Sequence, residues 1–408
     1  MKTKLIFDIE IIGKTYRINE TGIFRVAYEL FNRLVSDQKI DISYSTTDVK
    51  NCKDTSSKID FFFDDHNITS PIFAINCERV KFIPFRKEKP FRIFYNKIGI
   101  YDYKIDYNND VLQSAQIYHS VYNPLPKGLD KFPHIKKVIT IHDLIPLLLP
   151  DLHFTSNLLK KIVSSIGKDG YAICVSENTK KDLLNYAPYI NPDHVYVSLL
   201  AASKELFYVC NDEEKFNSIK EKYNLPAKYF LSVGTLEPRK NVDHVIRTFL
   251  KVVKENNIDD LGLVLVGAKG WDYDRIFHEY DNAQELKDKI IITGRVPDED
   301  LASLYSHANS FYYMSLYEGF GLPPLEAMQC GVATVTSNTS SLPEVVGDAG
   351  IMLDPKDVES LSQTMLTLYK DDHLRTVYSQ KGLERSKMFS WEKSADEIVE
   401  IYQKICNS

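Results

Sequence analysis

The stretch Ser315-Leu316-Tyr317-Glu318-Gly319-Phe320-Gly321-Leu322-Pro323-Pro324-Leu325-Glu326-Ala327 decides how this chain is read. The run before it, Phe311-Tyr312-Tyr313-Met314, is short and continuously apolar, which predicts a buried strand. Two glycines follow, and then a Pro-Pro pair that predicts the first turn of a helix, where the amide that proline lacks has no partner to lose. Strand, glycine loop and helix N-terminus in succession aim backbone N–H groups and a partial positive charge at one point, which suits a phosphate. Glu318 and Glu326 flank the loop with seven residues between them. Carboxylates repel a phosphate, so they must face another, hydroxylated part of the ligand.

Working outward, the second half of the chain repeats the pattern. Tyr229 to Val233 predicts a strand, followed by Gly234-Thr235-Leu236-Glu237-Pro238-Arg239-Lys240-Asn241 and a helix from Val242 to Val253. Arg239 offers a planar fork and Lys240 a point charge, a pair suited to an anionic ligand at a strand's carboxyl end. Further strands are predicted at Gly262–Gly267, Ile290–Pro297, Val332–Thr336 and Gly350–Asp354, with an amphipathic last helix from Trp391 to Ile405.

In the first half, Lys4–Ile12 reads as a strand leading to a second glycine junction, Thr21-Gly22, before the helical periodicity of Val26, Leu30, Phe31 and Leu34. Asp60 to Asp65 reads as a strand end. Lys137–Ile141 is a buried strand that ends in His142-Asp143, and strands follow at Tyr171–Val175 and Val195–Leu199. Each feature alone has a plainer reading: Gly22 as a turn residue, His142 satisfied by backbone, Arg239 and Lys240 as surface charges. Together they fall where open α/β sheets bind ligands, outside the carboxyl ends of parallel strands. The alternation predicts two doubly wound α/β domains facing one another across a cleft, with the linker near 203–212.

The bulk numbers set limits. The chain has 408 residues, 44% of them hydrophobic, and a net charge of −6, which argues against a general nucleic-acid binder. Six scattered cysteines without a C-x-x-C pair fit a reducing, cytoplasmic setting and offer no zinc site. The N-terminus turns acidic at Asp8, unlike a signal peptide, and no run reaches the roughly 20 apolar residues of a membrane span. Residues 79–97 hold seven basic side chains against one acid, Glu88, with Phe82, Phe85, Phe91, Phe94 and Tyr95 interleaved. That stretch reads either as a patch for an anionic membrane surface or lipid diphosphate, or as a solvated loop whose aromatics pack inward.

The motifs in this order resemble the retaining glycosyltransferases of family 4, which have the GT-B fold: two facing Rossmann-like domains with a C-terminal helix crossing back to the first. The resemblance rests on Thr21-Gly22, Val138 to Pro146, Ser176 to Leu183, Gly234 to Asn241, Glu318 to Glu326, Ser340 to Gly347 and Phe389-Ser390-Trp391. It spans nearly the whole chain and is strongest from Tyr229 to Pro355. It implies an acceptor domain over 1–205 together with 390–408, and a nucleotide-sugar donor domain over 206–389. It implies that Arg239 and Lys240 neutralise the departing diphosphate, and that the Gly319-Phe320-Gly321-Leu322 backbone holds sugar and phosphate. Glu318 would bind sugar hydroxyls and Glu326 the ribose. Gly22 would admit the diphosphate, His142 would contact the transferred sugar, and Val296 would lie by the base, with Gly267 also at the donor.

Within the family, the wording at Gly234–Asn241, His142–Pro146 and Ser340–Glu344 is similar to bacterial mannosyltransferases of O-antigen and exopolysaccharide assembly. The resemblance therefore implies GDP-mannose as first donor, then UDP- or dTDP-sugars, and a glycan or lipid-linked saccharide as acceptor. No cofactor or metal is expected. Asp272-Tyr273-Asp274 and Asp298-Glu299-Asp300 match a D-x-D metal motif in letters only, the second reading better as an acidic first helical turn. A sugar-nucleotide 2-epimerase of the same architecture and a non-catalytic nucleotide-sugar binder are the alternatives.

Overall fold

The computed structural model describes residues 2–16, 22–79, 89–98, 103–152 and 156–408. Thr21 and part of the basic-aromatic stretch, 80–88, lie outside these. Strands β1 (Thr3–Asp8), β2 (Ile40–Ser45), β3 (Phe73–Arg79), β4 (Tyr103–Tyr107), β5 (Ile117–Ser120), β6 (Lys136–Ile141), β7 (Tyr171–Cys174) and β8 (Val195–Val197) form the first sheet. Its order is β4-β3-β2-β1-β5-β6-β7-β8, parallel throughout except for the antiparallel edge pair β3/β4. Strands β9 (Lys228–Val233), β10 (Leu261–Val266), β11 (Ile290–Gly294), β12 (Ser310–Tyr313), β13 (Thr334–Ser337) and β14 (Ile351–Leu353) form the second. Its order, β11-β10-β9-β12-β13-β14, is the doubly wound order of a dinucleotide-binding fold.

The strands are apolar because helices cover both faces. β10 is buried along its whole length, as a central parallel strand must be. In each sheet the strand order reverses at one place, between β1 and β5 and between β9 and β12. At such a reversal the loops leaving neighbouring strands part to opposite faces and open a crevice at the carboxyl ends.

The last helix, Trp391–Asn407, returns to the first domain and packs on the helix Gly22–Ser36. Ile398, Val399, Tyr402 and Ile405 lie on its buried face. Its Tyr402 hydroxyl meets His119 Nδ1 at 2.5 Å, and Ser394 meets Ser198 at 3.1 Å. His119 is fully buried, which drops its pKa to about 3, so this contact involves a neutral imidazole.

Three expectations need correction. β1 stops at Asp8, and Glu10–Thr15 is a short helix rather than more strand. The Asp8 carboxylate accepts the Glu10 amide at 2.9 Å and turns the chain there. An apolar run buried on every side carries no period by which to tell strand from helix. Residues 52–65 are also a helix, with Thr55, Ile59, Phe62 and Phe63 buried at helical spacing under the exposed Phe61. That helix sets Cys52 against Cys77 of β3, with Cα atoms 6.0 Å apart, and the two are joined by a disulfide where free thiols were expected. Cys174, Cys210, Cys330 and Cys406 are free.

Candidate active site

A cavity of about 510 Å³ opens between the carboxyl ends of the two sheets. All the residues singled out in the sequence line it: Gly22 and His142 from the first domain, and Arg239, Lys240, Gly267, Val296, Glu318, Gly319, Phe320, Gly321, Leu322 and Glu326 from the second. The β9 and β12 loops meet at the second sheet's reversal point and are tied together. Leu316 N donates to Arg239 O at 2.8 Å, and the Asn241 amide donates to Met314 O at 3.1 Å.

Glu318 is the hub of this corner. Its Oε1 lies 2.6 Å from Lys240 Nζ and accepts from Ser315 at 2.6 Å and Tyr313 at 2.8 Å. Its Oε2 lies 2.7 Å from Arg239. Burial alone raises a carboxyl's pKa, but Arg239 and then Lys240 outweigh it here and hold Glu318 at about 2. Arg239 also pairs with Glu237 at 2.7 Å, so two cations face two acids. Burial works against the Arg239 charge, yet Glu318 and Glu237 keep it firmly protonated. Lys240 is pressed below the ordinary lysine range by burial and then by Arg239, with Glu318 opposing. The expected sugar-binding carboxylate is thus also the internal counter-ion of the cation pair.

The loop glycines have separate reasons. Gly321 sits at φ +122° immediately before the helix Leu322–Gln329, a backbone that side-chain-bearing residues avoid. Gly319 is a point of contact between the domains: a Cβ there would stand 1.9 Å from His142 O. Its carbonyl accepts from Ser176 at 2.7 Å and Thr179 at 3.0 Å. Around it, the Glu344 carboxylate accepts the amides of Glu177 and Asn178 at 2.8 Å each, and the Tyr317 hydroxyl donates to Asp182 at 2.6 Å. The motifs near Ser176 and Ser340 are therefore two halves of one interdomain contact. At Gly22 the nearest atom to an added Cβ would be Leu322 Cδ1 at 3.9 Å, so protein packing there leaves open space.

His142 follows β6 and lines both this cavity and a smaller one of about 190 Å³ with Tyr122, Asp143 and Leu159. Its Nε2 is 2.8 Å from Val121 O, and a carbonyl only accepts, so Nε2 carries the proton. Burial lowers its pKa, so the imidazole is neutral at pH 7 with Nδ1 as an acceptor. Val296 is a buried lining residue, as is Glu326, whose carboxylate accepts from Tyr305 at 3.0 Å.

Five charged lining residues have no role in the sequence reading: Arg25, Asp143, Glu237, Arg295 and Asp298. Glu237 and Asp143 sit inside motifs already marked, so their neighbours signalled them. Arg25 and Asp298 meet across the cleft from positions 273 residues apart, and no local pattern links them. Among the described residues no group of three His, Cys, Asp or Glu side chains is gathered to hold a metal ion.

Comparison with known proteins agrees with this architecture. A model of the family described as "Glycosyl transferases group 1" matches residues 213–385, the part that carries the second sheet and most of the cavity. The O-antigen chain mannosyltransferase B of Escherichia coli is 30% identical over 415 residues, covering 98% of this chain and 99% of that protein. The serotype-specific mannosyltransferase WbdA of the same organism is 31% identical over 278 residues, 67% of this chain but 34% of WbdA. Sucrose-phosphate synthase from Thermosynechococcus elongatus superposes with a TM-score of 0.68 over 99% of each chain at 17% identity, which speaks to the GT-B fold alone. Two facing Rossmann-like domains and a near full-length relative of this kind lead to one assignment: the chain belongs to the group 1 glycosyltransferases.

Proposed function

We propose that this glycosyltransferase moves mannose, with retention of configuration, from GDP-mannose to a hydroxyl of a glycan or lipid-linked saccharide in cell-surface polysaccharide synthesis. The observation that carries the reading is the similarity to the E. coli O-antigen chain mannosyltransferase B along essentially the whole of both chains. The cavity is chemically suited to the donor. Cleaving a sugar–phosphate bond leaves a diphosphate and an oxocarbenium-like sugar. Arg239, Lys240 and the backbone amides of the Gly319-Phe320-Gly321-Leu322 loop line the cavity together to meet the first as its charge develops. For that, the diphosphate exchanges with Glu318 for the two cations and leaves the carboxylate to sugar hydroxyls. His142 Nδ1 accepts a sugar hydroxyl near the reacting carbon. Gly22 leaves room for the diphosphate, Glu326 takes the ribose, and Val296 with Gly267 borders the base end. The departing phosphate oxygen takes the acceptor's proton, and no metal enters the scheme.

The acceptor sits on the first domain. The helix Lys89–Lys97 turns Ile93 and Phe94 outward, each 57% exposed, a face suited to the membrane surface on which a lipid-linked acceptor would be presented. No helix among the described residues is long and apolar enough to cross a membrane.

The test is product analysis. The protein is incubated with GDP-mannose and with UDP-, dTDP- and ADP-sugars, each with and without lipid-linked saccharide acceptors, in buffer with and without EDTA. Transfer of mannose from GDP-mannose alone, as an α-linked product insensitive to EDTA, is the expected result. Transfer from another nucleotide sugar, an inverted linkage, or epimerisation of donor without acceptor overturns the reading.

A further inference from the structure

Arg25 is the fourth residue of the helix Gly22–Ser36, and its side chain crosses the cleft from the first domain to the second. One guanidinium nitrogen is 2.5 Å from Asp298 Oδ1 and the other is 3.6 Å from Glu326 Oε1. The second distance is an ion pair and too long for a hydrogen bond, so Arg25 supplies charge to Glu326 without occupying its acceptor positions. The Glu326 side chain is only 8% exposed, and Tyr305 donates to Oε2, which keeps a lone pair of its own.

The charges around Glu326 come from every side. Arg25 faces it from the first domain, Asp298 and Tyr305 from the helix Asp298–Ser306, Lys240 from the β9 loop, and Cys330 from the end of its own helix. Burial outweighs the rest and leaves Glu326 above the ordinary carboxyl range even with Arg25 in place; Arg25 is the strongest influence holding it down, and Asp298 adds a smaller push upward. Without Arg25, the buried Glu326 faces the half-buried Asp298 with its strongest cationic influence gone. A protonated carboxyl presents a donor of its own and accepts fewer hydroxyls.

We propose that Arg25 is a positioning residue for the donor nucleotide: from the first domain it keeps the second domain's Glu326 an oriented carboxylate able to accept both hydroxyls of a ribose. The nucleotide site of the second domain is therefore complete only when the first domain faces it. This rests on reading the cavity as the donor site with Glu326 at the ribose.

The experiment is calorimetric titration of GDP and UDP into wild type, Arg25→Gln, Arg25→Lys, Glu326→Gln and the Arg25→Gln/Glu326→Gln double variant at pH 6, 7.5 and 9, with kcat and KM for the donor. Arg25→Gln is expected to weaken nucleotide binding about tenfold at pH 6, the scale of one charge-assisted hydrogen bond. The loss shrinks by pH 9 as Glu326 gives up its proton. KM rises more than kcat falls, Arg25→Lys restores most of the affinity, and Arg25→Gln adds nothing in the Glu326→Gln background. Wild-type affinity for Arg25→Gln at every pH overturns the inference, as does an equal loss with and without Glu326. Should Arg25→Gln fail to fold, Arg25→Lys carries the same cycle at smaller amplitude. A wild type that binds neither nucleotide and transfers no sugar overturns the donor-site reading instead, so the two failures are distinct.

Discussion

The crevice between β1 and β5 and the crevice between β9 and β12 occupy equivalent places in their sheets. Each holds a buried carboxylate. In the second, Glu318 lies within 2.7 Å of both Arg239 and Lys240 and is held at about 2. In the first, Asp8 accepts the Glu10 amide at 2.9 Å and meets Ser120 at 3.1 Å and Asn123 at 3.2 Å, and the nearby cation, Lys14, pairs with Glu10 instead. Burial, and then the Glu10 charge, lift Asp8 to about 7. Burial is common to both sites, and a cation paired directly with the carboxylate decides the sign. The second crevice sets two cations against its carboxylate, whereas in the first Lys14 pairs with Glu10 and Asp48 and leaves Asp8 with neutral partners.

Removing the cation that separates the two crevices has the largest expected effect. Lys240→Ala should lower kcat by about 10²–10³-fold, the cost of losing one preorganised donor to developing charge. Its thermal midpoint should move little, because Arg239 still pairs with Glu318. Turnover at the wild-type rate would remove Lys240 from the diphosphate.

The next test acts where the two domains touch. An alanine at Gly319 would put its Cβ 1.9 Å from the His142 carbonyl, so the His142 loop or the glycine loop must shift. Misplacement on this scale costs roughly 10²-fold in rate when reacting groups lose alignment. Gly319→Ala should therefore lower kcat for transfer more than it lowers the stability of either sheet. Kinetics together with a denaturation curve separates these outcomes. A loss of stability with normal kcat in the folded fraction would make the contact a fold determinant only.

How much of this was legible in the sequence follows from how local each feature is. The strands at 229–233, 262–267 and 311–314 are announced by short apolar runs that lead into glycine-bearing loops, and the Glu318–Glu326 stretch carries its own loop and helix start. The helices at Glu10–Thr15 and Cys52–Asp65 did not, because Ile9-Glu10-Ile11-Ile12 and Phe61-Phe62-Phe63 are dense in apolar residues and show no clean period. Arg25 with Asp298, Glu344 with the Glu177 amide, and Cys52 with Cys77 are products of tertiary placement, invisible to spacing. Gly319 was read as a loop glycine for a ligand, but its close approach to His142 adds a constraint that only the facing domain supplies.

The smallest expected effect is on stability at the first crevice. Ser120 Oγ has one proton and lies 2.7 Å from Asn123 O and 3.1 Å from Asp8 Oδ2. If it donates to the carbonyl, it is free to accept from a protonated Asp8, which fits the raised pKa. The folded state then binds a proton that the unfolded chain releases near the ordinary value of 3.8. Between that value and about 7 the native state holds more protons than the unfolded one, so this site makes the protein less stable as pH rises, and the loss levels off above 7. Glu318 has the opposite sign: its stabilisation is full above the ordinary 4.5 and is lost as pH falls through about 2. Asp8→Asn keeps the shape, can donate to Ser120 and cannot ionise; its NH2 no longer accepts from Asn123, a cost that is the same at every pH. Chemical denaturation at pH 5 and pH 8 should show the variant gaining on wild type by about 1–3 kcal/mol between the two, the scale of one to two units of pKa difference. A gap between variant and wild type that stays constant with pH would mean that Asp8 is ionised in the fold, and the contrast between the two crevices would lie in something other than charge.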